Sequence, residues 1–144
     1  MKMIILLLIP LMANGGWIKL EGVFGGPVPC KKVFYQEYQD EYIANINDCS
    51  NKTARYYDAL RAAGYNPRIA VVLPDPMVPD MLHVVVEVDG KYYDPTNGDK
   101  NITDINHFGI FKYWEDEITI NYHWEYIRDK QMSALHYELR QLRK

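Results

Sequence analysis

Residues 82–98 read LHVVVEVDGKYYDPTNG. The β-branched run after His83 favours a strand, and Asp89-Gly90 is a strong signal for a two-residue hairpin turn. The return strand is then Lys91 to Asp94. Counting outward from the turn sets Val88 opposite Lys91, Val85 opposite Asp94 and His83 opposite Thr96. Side chains alternate along a strand, so His83, Val85 and Asp94 share a face, and His83 stands diagonal to Asp94. Diagonal neighbours lie roughly 7–8 Å apart at the backbone, a span that an imidazole and a carboxylate close into a hydrogen bond.

Upstream of the hairpin, Arg68-Ile-Ala-Val-Val-Leu73 is apolar, β-branched and bounded by Pro67 and Pro74, which predicts a central strand. Residues 47–64, NDCSNKTARYYDALRAAG, predict a helix that Asn47 or Asp48 caps and Gly64 ends. Cys49 falls at its start. A thiol there meets unpaired backbone N–H groups and the positive end of the helix dipole, both of which favour the attacking thiolate. The pattern therefore offers a nucleophile (Cys49), a base (His83) and a carboxylate (Asp94) that fixes the tautomer of the base.

These residues resemble a family. Cys49 on a helix ending Leu60-Arg61-Ala62-Ala63-Gly64, followed by Tyr65-Asn66-Pro67-Arg68, then His83 opening a strand and Tyr93-Asp94-Pro95-Thr96 on the next, is similar to the transglutaminase-like superfamily core. The likeness spans residues 48–98. An Asn47-Asp48 pair stands where the family often has glycine. The resemblance implies an α+β domain of transglutaminase-like, papain-like cysteine-protease architecture, with helices packed on an antiparallel β-sheet and a catalytic triad of Cys49, His83 and Asp94. It implies acyl transfer through a thioester: hydrolysis of a peptide or isopeptide amide when water accepts, or cross-linking of protein glutamine when an amine does. Small stand-alone cores of this kind favour hydrolysis of a peptide, protein or cell-wall peptide. No metal ion or organic cofactor is required. The alternative is a noncatalytic binding or structural protein on the same fold.

At 144 residues the chain allows one domain, residues 17–144, and its 48% hydrophobic content is that of a globular protein. A net charge of −3 leaves no electrostatic footprint for nucleic acid, and no apolar run is long enough to span a membrane. Residues 1–16 match a short secretory signal: Lys2, an apolar stretch, and small residues near Ala13 to Gly16. Export to the cell envelope or beyond follows from that reading, and a cytoplasmic protein with a buried N-terminal strand is the alternative.

Residues 17–30 are rich in Gly and Pro and predict a loop or extended arm. Lys31 to Asn45 predicts a helix, since Val33, Phe34, Tyr38, Tyr42 and Ile43 recur at helical spacing. Trp17, Gln36, Gln39 or a tyrosine in this region would complete an oxyanion site whose backbone donor is the Cys49 N–H. Cys30 is either a free thiol or the disulfide partner of Cys49, which would abolish the nucleophile. The loop of Pro74, Pro76 and Pro79, with Met77 and Met81, either walls a substrate groove or is a plain surface connection. Downstream, Ile118 to Trp124 predicts an edge strand, and Asp129 to Lys144 an amphipathic helix with Met132, Leu135, Leu139 and Leu142 on one stripe packed on the domain. His107, His123 and His136 have no placed carboxylate and read as surface or structural groups.

Overall fold

The computed structural model describes residues 26–116 and 130–143. The candidate signal, Trp17, the arm up to residue 25 and the expected strand Ile118–Trp124 with His123 lie outside them, as does the His136 side chain. Along the chain come α1 (Lys31–Gln39), α2 (Cys49–Ala62), β1 (Arg68–Leu73), β2 (His83–Val88), β3 (Lys91–Asp94), β4 (Asp99–Ile102), a 3₁₀ turn (Ile105–His107), β5 (Ile110–Trp114) and α3 (Lys130–Leu142). Among the described residues the fold class is α+β: three helices and an antiparallel five-stranded sheet in the order β4-β3-β2-β1-β5. Among the described residues, no helix is long and apolar enough to cross a membrane.

The hairpin forms in the expected register, with Val88 opposite Lys91, Glu87 opposite Tyr92 and Val86 opposite Tyr93. Asp89 and Gly90 both take positive φ, 51° and 81°, as a tight turn matching the strand twist demands. Alternation then sorts the side chains. Val84, Val86, Val88 and Tyr93 meet the helices through Phe34, Ala54, Tyr56, Tyr57 and Leu60. Val85, Ala70 and Val72 pack on the other face against Phe108. Each fully buried side chain of this size contributes about 1.5–3 kcal/mol, so two covered faces hold β1 and β2 at the centre.

Helix α2 begins and ends as its sequence dictates. The Asp48 carboxylate accepts from the Ser50 N–H at 3.0 Å, and the Asn51 side chain accepts from the Asp48 N–H at 2.9 Å, a reciprocal capping box. At the far end Gly64 adopts φ 89° and the N–H of Tyr65 reaches the Leu60 carbonyl, closing the helix with a left-handed cap.

Two expectations are corrected, for the first helix and for the stripe on α3, and two strands join the sheet. The first helix stops at Gln39 instead of Asn45, because polar side chains capture the backbone beyond it. Asn47 donates to the Asp40 carboxylate and to the Glu41 carbonyl, Lys52 reaches the carbonyls of Glu37 and Asp40, and Asn45 turns to φ 64°. The aromatic segment 110–114 and the polar segment 99–102 are strands, paired through their backbones with β1 and β3. The stripe on α3 is not packed away: Leu135, Leu139 and Leu142 are exposed, and Tyr137, Arg140 and Gln141 border a shallow depression with Asn45.

Candidate functional site

Cys49, His83 and Asp94 come together where the start of α2 meets the ends of β2 and β3. Asp94 is fully buried, and its Oδ2 lies 2.7 Å from His83 Nε2. That bond closes the diagonal pair that the register places on one face. The turn Asp94-Pro95-Thr96-Asn97 then fixes the carboxylate from behind. Its Oδ1 accepts from the N–H of Thr96 at 2.9 Å and of Asn97 at 3.3 Å, and its Oδ2 accepts from the Asn97 amide at 3.0 Å. Aspartate accepts from backbone two residues on in turns of this kind, so the bonds are encoded locally. The Asn97 side-chain bond is not.

With Nε2 committed to Asp94, Nδ1 is the nitrogen left for Cys49. Burial by itself lowers the imidazole, but the interactions with Asp94 and then with Cys49 outweigh it, and the ring is pushed up to about 10. His83 is therefore an imidazolium at neutral pH. The sequence suggests a ring waiting for a proton; the folded site already holds it there.

Both thiols are free. The Cys30 sulfur donates to the Ala59 carbonyl at 3.4 Å, near the end of α2 opposite to Cys49. Ten residues of helix rise about 15 Å, far beyond the reach of a disulfide, so the disulfide alternative is ruled out for this fold. Burial pushes the Cys30 thiol up, as expected of an inert structural cysteine.

Of the oxyanion donors considered, Gln36 and Gln39 border a separate depression on α1 of about 690 Å³, away from the triad. Tyr42 is the tyrosine that reaches the site. It lines the surface beside Cys49 and His83, carried by the loop that replaced the end of α1. Burial, then the charges of Cys49 and Asp48, push its phenol up, so it stays a neutral donor. The helix cap uses the N–H of Ser50, and the N–H of Cys49 is not among the donors it takes.

Two depressions meet at the sulfur. One, of about 360 Å³, is bordered by Tyr42, Cys49, His83, Thr96 and Asn97. The buried Thr96 hydroxyl has no hydrogen-bond partner among the described residues. The other, of about 310 Å³, extends under the proline-rich loop. His107 borders it and does have a carboxylate, with Nε2 3.5 Å from Asp99 Oδ2, which corrects the reading of this histidine as unpartnered. The pair was hidden from sequence because β4, which carries Asp99, has no apolar pattern. Among the described residues, no cluster of three metal-ligating side chains is formed.

The arrangement is that of an antiparallel sheet presenting a buried carboxylate and a cationic histidine to a cysteine at a helix start, a constellation suited to nucleophilic attack on a carbonyl. Comparison with known proteins adds no relative: no family model, curated protein or solved structure matches the chain.

Proposed function

We propose that the chain is a cysteine acyl-transfer enzyme of transglutaminase-like, papain-related type, and that it hydrolyses a peptide or isopeptide amide. The observation that carries this reading is the 2.7 Å bond from His83 to a fully buried Asp94, with the cationic ring beside a cysteine at a helix start. A structural histidine would not need a buried carboxylate held by four hydrogen-bonding contacts.

The Cys49 thiolate attacks the amide carbonyl carbon and a C–S bond forms. The oxyanion faces the Cys49 N–H and the Tyr42 hydroxyl. The imidazolium passes its Nδ1 proton to the leaving nitrogen as the C–N bond breaks, which frees the amine and leaves a thioester. Water then attacks the thioester and gives a proton to the now neutral ring. The acid departs, and thiolate and imidazolium are restored. Asp94 holds the ring in place through both steps.

The test is alkylation of Cys49 by iodoacetamide against pH, in Cys30→Ser and in Cys30→Ser with His83→Ala. We expect the first protein to be alkylated faster than the second through the neutral pH range, because only the first has a base beside the nucleophile. Coincident curves would refute the pairing of Cys49 with His83. Incorporation of a labelled primary amine into a glutamine-containing protein would move the assignment from hydrolysis to cross-linking.

A further inference from the structure

We infer that the cleft under loop 74–82 is an acyl subsite, and that the substrate carries an apolar, chain-like group on the acyl side of the amide that Cys49 attacks. This rests on the catalytic reading above and names the substrate class for the same site.

The two depressions share Tyr42, Cys49, His83 and Asn97, so they approach the sulfur from two directions. Beyond those shared residues their characters diverge. The larger adds only Thr96, a hydroxyl side chain. The smaller adds Pro74, Met81, Leu82 and Phe108, and its volume of about 310 Å³ stands at the lower bound of the roughly 300–1,000 Å³ usual for ligand pockets, room for one side chain. Met81 is 66% exposed and Leu82 42%, apolar surface that a substrate group would remove from water. Asp99 and His107 lie there too, and they face each other, with His107 Nε2 3.5 Å from Asp99 Oδ2.

The cleft is preformed. Gly109 takes φ 133°, and a Cβ there would stand 2.4 Å from the Leu73 carbonyl oxygen and 2.7 Å from the Pro74 Cα. The backbone after Phe108 thus presses directly against the root of the loop. Above that root the Asp75 carboxylate accepts from the Met77 N–H at 2.9 Å, and the Met81 N–H reaches the Val78 carbonyl at 3.1 Å. Three prolines remove most of the remaining backbone freedom. Leu82 is thereby held next to His83, while methionine at position 81 adapts to the shape of what it meets.

The direction of binding follows from the order of the chemistry. The acyl group stays bonded to Cys49 through both steps, whereas the amine leaves and water must enter. The cleft with the added apolar walls suits the part that stays, and the other depression suits the part that exchanges.

The test uses the full chain and 4-nitrophenyl esters of acetate, butanoate and hexanoate. The Cys49 sulfur bonds to the carbonyl carbon, and 4-nitrophenolate departs with the C–O electron pair. We expect kcat/KM to rise roughly fourfold per added methylene. Met81→Asn with Leu82→Asn should flatten the series, read as the ratio of the hexanoate to the acetate rate; both residues are exposed, and circular dichroism will verify the fold. A flat series in the native protein, or an equal slope in the variant, with the acyl mass found on Cys49 in each case, overturns the subsite and leaves catalysis standing. Failure of every ester to acylate Cys49 overturns the catalytic reading, and the subsite with it.

Discussion

His83 is where the chemistry of single residues is decided. Its ring is 14% exposed, held on one side by a buried carboxylate and on the other by a sulfur, and these neighbours overcome a desolvation that would otherwise discharge it. Replacing Asp94 with Asn keeps the shape and removes the charge. The His83 midpoint, followed by NMR of the ring protons, should drop from near 10 toward the ordinary ~6.5. On the proposed reaction, amide turnover should fall by roughly 10²–10⁴-fold, the usual worth of a positioned acid–base group. A midpoint unmoved in Asp94→Asn would mean that Asp94 is not what holds the proton. The diagonal pair was legible in the sequence because strand alternation has an integral period of two and the Asp-Gly turn sets the count. Asn97 was not legible as a partner of Asp94. Its amide bonds to an oxygen that the turn type does not specify, and only the folded turn aims it there.

At the scale of elements, α2 does two things: it seals the sheet with Ala54, Tyr56, Tyr57 and Leu60, and it presents Cys49 at its first turn. The Asp48 cap serves both. Asp48→Ala should cost about 1 kcal/mol in urea denaturation, the usual worth of a cap, and should slow Cys49 acylation by loosening the first turn. Unchanged stability would show that the Asn51 half of the box suffices. A second polar assembly fixes the link between α1 and α2. Arg55 Nε donates to both oxygens of Glu37, at 2.7 and 2.9 Å, and the same guanidinium reaches Asn47. This assembly is why the helical spacing of Tyr42 and Ile43 misleads. Their periodicity favours continuing α1, but a buried lysine and an asparagine capture the backbone at residues 37–41, and the loop swings Tyr42 to the cysteine. Strand β4 escaped for a related reason. Its pairing is made by backbone groups, while Asp99, Lys100 and Asn101 carry no alternating apolar signal.

The whole molecule couples the site to stability through the same proton. Folded His83 titrates near 10, whereas the unfolded ring titrates near ~6.5. Below the lower value both states bind the proton and the pairing contributes in full; between the two values only the folded state does, so the contribution shrinks as pH rises and is lost above about 10. Urea midpoints between pH 6 and 10 should therefore fall more steeply for the native protein than for His83→Gln, and parallel profiles would contradict the assignment. What the sequence determined alone is whatever depends on neighbours along the chain: the hairpin register, the capped helix that opens at Cys49 and the central strand. These follow from periodicity, turn conformation and capping, each a matter of a few consecutive residues. Only the tertiary structure decided that Cys30 lies at the other end of α2 from Cys49, that Tyr42 leaves its helix for the site, that Asp99 meets His107, and that Gly109 pins the loop walling the cleft. Those outcomes depend on which distant backbones approach each other. Packing and the satisfaction of buried polar groups set that approach, and local sequence pattern does not encode it.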